Sequence, residues 1–143
     1  MKSEQNSTIT VQAKINAPID KVWKCWTTPG DIMNWNHASN DWHTPHVEND
    51  LHLGGRFSFR MEAKNGSAGF DFGGKYEKVI INKRIEYIID DGRRVSVVFS
   101  ASDNRTDVLE TFETESVNGI ELQRTGWQAI LDNFKKYTEE NYS

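Results

Sequence analysis

Apolar and polar positions alternate along TITVQAKI, where Ile9, Val11, Ala13 and Ile15 share one face and Thr8, Thr10, Gln12 and Lys14 the other. A period of two predicts a half-buried strand over 8–15, behind a polar segment, residues 1–7, expected to fray. Ala17-Pro18 ends the strand, and Pro18 suits the first turn of a helix. In IDKVWKCWTT, Val22, Cys25 and Trp26 fall at helical spacing on one face. Thr28-Pro29 repeats the start signal, with Thr28 as N-cap and Pro29 at the first helical position of a second short helix through GDIMNW. Residues 36–46, NHASNDWHTPH, have no period and predict a loop.

From 47 to 115 the pattern predicts a string of strands. LHLGGRFSFRMEA places Phe57, Phe59 and Met61 on one face, with Gly54-Gly55 as a bulge or sharp bend. Asn65-Gly66 is a hairpin signal, and GFDFGGKYEKV follows with Phe70, Phe72 and Tyr76 in phase. RIEYIID and RRVSVVFSA are joined by Asp91-Gly92, a type I′ signal, and the polar SDNR leads into TDVLETFETE. The chain then changes period. Ile120, Gln123, Trp127, Ile130, Leu131 and Phe134 recur at three- and four-residue steps, opposite Glu121, Arg124, Gln128, Asp132 and Lys135. This predicts a long amphipathic closing helix, with Asn118 three residues before Glu121 as a capping-box-like start. Strand, two short helices, about six strands and a long helix make an α+β fold with an antiparallel sheet, in a single domain over 1–143.

Composition narrows the functional classes. Seventeen basic against 21 acidic residues give a net charge of −4, with no basic block, so no electrostatic grip on nucleic acid is expected. The N-terminus carries no signal-peptide pattern, and no window approaches the roughly 20 apolar residues of a membrane span, so no membrane insertion is expected. The single cysteine, Cys25, excludes an internal disulfide, which fits a cytoplasmic location. Sixteen aromatics concentrate the apolar surface in large flat side chains, suited to cores and to ring-shaped ligands.

Candidate chemistry begins with those aromatics. Phe57, Phe59, Phe70, Phe72, Tyr76, Tyr87, Phe99 and Phe112 fall in phase along successive strands, and Trp127 faces them from the helix. As a packed set they form an ordinary core; as rigid rings they leave a gap that aliphatics would fill. Glu110 is in phase with Val108 and Phe112, so the strand points it inward, where a carboxylate must be paired or neutralised by a raised pKa. A bulge would instead turn it to water. Gln123 is a second polar handle on the apolar stripe. The segment around the loop adds His37, His43, His46 and His52 among Trp35 and Trp42. It lacks HExxH spacing and paired cysteines, so no metal is expected. Trp35 and Trp42 are expected to cap the open end of the sheet, with His37 or His43 donating to a bound molecule. Cys25 lies on the buried helix face, where a thiol is a core filler. No GxSxG, Walker or GxGxxG motif occurs, and no cofactor is expected.

The runs ITVQAKINAPIDKVWKCWTTPGDIMNWN, DWHTPHVENDLHLGGRFSFRMEAKNGSAGFDFGGKYEKV, ETFETE and QRTGWQAILDNFKKY together resemble bacterial single-domain relatives of the C-terminal domain of the heat-shock-protein-90 ATPase activator, within the START/Bet v 1-like (SRPBCC) superfamily. The resemblance covers about residues 8–140. It implies a helix-grip fold: a curved antiparallel sheet of six to seven strands, two short helices after the first strand, and a long C-terminal helix enclosing a hydrophobic cavity. The expected partner is a small hydrophobic molecule with aromatic or fused rings, held by the residues named above and Ile130, in a monomer or weak dimer. Two alternatives stay open: a cyclase- or aromatase-type enzyme using Glu110 or His43 for proton transfer, and a protein-interaction module in contact with a chaperone ATPase.

Overall fold

A computed structural model describes residues 7–142; the expected fraying of residues 1–7 lies, Ser7 apart, outside them. The chain runs β1 (Thr8–Ile15), α1 (Ile19–Thr27), α2 (Pro29–Trp35), β2 (Trp42–Asn49), β3 (Arg56–Ala63), β4 (Gly69–Ile80), β5 (Arg84–Ile89), β6 (Arg94–Ser102), β7 (Arg105–Glu113) and α3 (Ile120–Tyr142). The strands form one antiparallel sheet in the order β1-β7-β6-β5-β4-β3-β2, a meander closed by β1 returning beside β7. It curls into a half-barrel around α3: the α+β arrangement the pattern predicts and the helix-grip the resemblance implies. No helix among the described residues is long and apolar enough to cross a membrane.

The alternation in β1 survives in full: its odd positions are buried and its even positions exposed. Cross-strand register then builds rows on the concave face. Tyr76, Tyr87, Val95, Phe112 and Ile9 stand opposite one another across five strands. The next row is Val79, Ile85, Val97, Glu110 and Val11. Glu110 is thus flanked by two valines that water barely reaches, and the bulge that would have turned it outward is absent here.

Both edges of the sheet are protected. β2 pairs only with β3, and its register shifts between His43 and His46, across Pro45. An edge strand tolerates a proline because one side of its ladder is unpaired. The same proline and bulge erase the alternating period, which is why residues 42–46, expected as loop, are strand. At the other edge α3 lies along β1. Gln128 Nε2 donates to the Gln12 carbonyl at 3.0 Å, Lys135 Nζ donates to the Lys14 carbonyl at 2.5 Å, and the Asn16 amide donates to Glu139 at 2.7 Å. These are outward-facing groups of alternate residues, so helix side chains stand where a further strand would otherwise bond.

Several local expectations need correction. Thr28 precedes α2 and Pro29 opens it, but the Thr28 side chain makes no capping bond. Asn118 bonds Glu115 at 2.6 Å instead of boxing Glu121, which pairs with Arg124. Ile120 sits in the first turn of α3 and is largely exposed, so the buried stripe begins at Gln123. At Asp91-Gly92 only the glycine has positive φ (+95°), and Ile89 and Arg93 close the turn by their backbones. That is a three-residue loop with glycine in the left-handed position, not a type I′ turn, which would need positive φ at both residues.

Candidate functional site

A cavity of about 240 Å³ lies between the concave face of the sheet and α3. Two aromatic clusters wall it. The first centres on Phe57, whose ring meets Phe59 at 5.2 Å, Phe72 at 5.9 Å, Tyr76 at 5.2 Å and Tyr87 at 4.9 Å. Phe57 comes this close to β4 because it faces Gly74, where a Cβ would stand 2.8 Å from the ring. The second joins α1, α2 and α3: Trp26 packs on Trp35 at 5.1 Å and on Phe134 at 4.9 Å, with Phe99 behind it at 5.8 Å. Trp127 crosses from α3, edge-on to Phe72 at 6.2 Å and stacked on Phe112 at 3.9 Å.

Eleven of the residues singled out in the sequence line this cavity: Trp35, Phe57, Phe59, Met61, Phe70, Phe72, Tyr76, Tyr87, Glu110, Trp127 and Ile130. Six do not. Phe99 lies behind Trp26 and Phe112 is covered by Trp127. Gln123 is buried, but its amide is spent on the β7–α3 loop: it accepts from the Glu115 amide at 3.0 Å and donates to the Glu115 and Asn118 carbonyls at 3.0 and 2.8 Å. Trp42 packs on Phe70 at 6.0 Å, and His43 lies 3.7 Å from Glu62. His37 accepts a hydrogen bond from Asn133 at 3.0 Å through Nε2, which leaves Nδ1 to carry the proton, buried and without a partner among the described residues. Burial, then the charge of Lys64, lowers the His37 pKa. Trp35, for its part, is fixed at the inner wall, its indole N–H donating to the Cys25 carbonyl at 2.9 Å.

Four lining residues were not assigned to the site from sequence: Trp26, Asn36, Ile85 and Arg93. Two carried a usable signal, since Trp26 shares a helix face with Val22 and Cys25, and Ile85 alternates with Tyr87. Asn36 and Arg93 stand at turns, where no period applies.

The polar groups of the wall differ in how well they are satisfied. Tyr76 donates its hydroxyl to Asn49 Oδ1, and Asn49 in turn donates to the Thr27 carbonyl at 2.8 Å. Burial pushes the Tyr76 phenol up. Arg93 is committed to Asp91 at 2.9 Å and the Glu113 carbonyl at 3.3 Å. Glu110, only 6 % exposed, has no side-chain partner among the described residues, and burial raises its pKa to about 8. Tyr87 is pushed up by burial and then by the Glu110 charge. At neutral pH the wall therefore holds a mostly protonated carboxyl facing an apolar, ring-lined space. Among the described residues no three of His, Cys, Asp and Glu converge as a metal-binding set.

Comparison with known proteins agrees with this architecture. A solution NMR structure of an AHSA1-like protein from Aeromonas hydrophila is similar over 94% of each chain, with 45% identity and a TM-score of 0.89. A protein from Cytophaga hutchinsonii matches with 51% identity and a TM-score of 0.81, over 94% of this chain and 93% of that one. A crystal structure from Chromobacterium violaceum, at 20% identity and TM-score 0.83, shares the fold over 93% and 98% of the two chains. No curated protein matches. The model of one family, described as activator of Hsp90 ATPase homolog 1-like protein, matches residues 16–139, and with that span and those relatives the chain belongs to this family, on a START/Bet v 1-like fold.

Proposed function

We propose that the protein binds a small hydrophobic molecule of one or two rings between the sheet and α3. The observation that carries the reading is the cavity at the centre of the fold. A core built for stability alone is filled to crystal-like density, with few voids larger than a water molecule. Here about 240 Å³ stays open among rigid rings. An apolar cavity of roughly 150 Å³ holds benzene, so this one has room for a fused pair of rings. Phe57, Phe72 and Trp127 supply contact area, and Glu110 and Tyr87 supply polar points to orient the guest.

An NMR amide-shift titration with one- and two-ring apolar molecules tests this. Saturable shifts on Phe57, Phe72, Tyr87 and Trp127 are expected, and they should vanish in Ile130→Trp, which fills the space. A well-dispersed spectrum that no molecule perturbs would end the reading.

The family name favours a second reading, contact with a chaperone ATPase. It finds support in an apolar group within the β7–α3 loop and the start of α3: Val117, Ile120 and Leu122 are 88%, 44% and 63% exposed. Binding to the host chaperone that survives Ile130→Trp but is lost in Val117→Asp/Leu122→Asp would support this reading.

A further inference from the structure

Glu110 is the cavity carboxyl the fold leaves unanswered, and the Tyr87 hydroxyl in the same cavity likewise has no hydrogen-bond partner among the described residues. Its row neighbours, Val11 on β1, Val97 on β6 and Ile85 on β5, carry no polar side-chain atoms. The polar groups that share its cavity are Tyr87 from β5, Tyr76 from β4, Asn36 from the α2–β2 loop and Arg93 from the β5–β6 turn; α3 contributes only Trp127 and Ile130. Tyr76 and Arg93 are already bonded elsewhere, and Asn36 donates its side chain to Thr44 at 3.4 Å. Among the described residues, the cavity's one cation is thus engaged with Asp91, while its one carboxyl is buried and free. The same cavity is lined by the rings of Phe57, Phe72, Tyr87 and Trp127, and aromatic faces attract cations within about 6 Å of the ring centre.

We propose that the cavity selects ring-bearing amines: the ligand's ammonium is held by the Glu110 carboxylate, and its rings lie among Phe57, Phe72 and Trp127. This rests on the cavity being a ligand site, as proposed above. Without ligand Glu110 is largely protonated at neutral pH, because burial raises its pKa to about 8. When the ammonium enters, the Glu110 proton leaves to solvent, so the net charge in the cavity stays the same and up to one proton is released per ligand. A charge-assisted hydrogen bond then replaces an unpaired acid. Affinity should rise with pH from about 6 towards 8, as the Glu110 proton becomes easier to remove.

Isothermal titration of the full chain with naphthylmethylamine, methylnaphthalene and naphthoate tests the assignment. The amine should bind about tenfold to a hundredfold more tightly than methylnaphthalene, an advantage of the size a hydrogen-bonded charge gives. Its heat at neutral pH should depend on the buffer's ionisation enthalpy, which reports the released proton. Glu110→Gln should lose both the advantage and the buffer dependence while still binding methylnaphthalene, which also shows that the variant is folded. The buffer dependence in the unsubstituted protein needs no variant. Equal affinity for amine and methylnaphthalene would overturn the amine assignment and leave the cavity reading standing. Tightest binding of naphthoate would overturn it in favour of Arg93 as anchor. Binding of none of the three would remove both.

Discussion

Glu110 shows how one residue ties stability to pH. Its carboxyl titrates near 8 in the native state instead of the usual 4.5. Between those values the folded chain holds a proton that the unfolded chain has lost, so stability falls as pH rises. A full proton of difference costs about 1.4 kcal/mol for each pH step of one, so the fall between about pH 5 and about pH 8 is roughly 3 kcal/mol. Urea unfolding at several pH values should show it in the unsubstituted protein and not in Glu110→Gln; parallel curves for the two would refute the buried, unpaired carboxyl. Gln123 teaches the opposite lesson. Sequence phase placed both residues inside, and both are buried, but phase says nothing about what a side chain meets there. Glu110 meets open space, whereas Gln123 meets three backbone groups of the β7–α3 loop. Gln123→Ala should therefore cost about 1–3 kcal/mol by removing three hydrogen bonds that hold the loop backbone. Affinity for an apolar probe should not change, which a paired denaturation and titration would check.

At the scale of elements, α3 is tied at both ends. Its start is held by Gln123. Its end is held where Tyr137 donates to Asp31 and Lys24 bridges Asp31 at 2.9 Å and Tyr142 at 3.0 Å. Asp31→Ala removes two of these bonds, and loss of hydrogen bonds to a charged group should cost about 2 kcal/mol. Hydrogen exchange should then quicken in the last two turns of α3 and leave β6 and β7 protected. The sheet side of the cavity depends on β4 as much as on α3. Gly74→Ala drives a methyl into the Phe57 ring and the Ile88 carbonyl, an overpacking expected to cost about 1–3 kcal/mol by urea unfolding. The elements themselves were largely legible because half-buried strands and an amphipathic helix write their period into the chain. β2 escaped because Pro45 and a register shift interrupt that period. Arg93 and Asn36 escaped because turn residues reach the site through the path of the backbone, which no local pattern encodes. The rows that set Tyr87 near Glu110 cross five strands, and register at that range is a property of the sheet rather than of any segment.

For the molecule as a whole, the half-barrel and its helix place a ring-lined space at the centre and interspersed charge outside, with a slight acidic excess. One arrangement joins these parts. The helix that roofs the cavity with Trp127 and Ile130 also reaches, through Gln128, Lys135 and Glu139, to the outward backbone groups of β1 and of Asn16 just after it. Roofing and edge protection are therefore a single mechanical unit. Whatever lifts α3, whether heat, a weakened Asp31 tie or passage of a guest, opens the interior and bares a row of unpaired strand groups in the same motion. Bare strand edges recruit other chains. A guest that holds α3 down should consequently act as an anti-aggregation agent, raising the temperature at which light scattering begins, and Gln128→Ala/Lys135→Ala should lower that temperature even with the cavity intact.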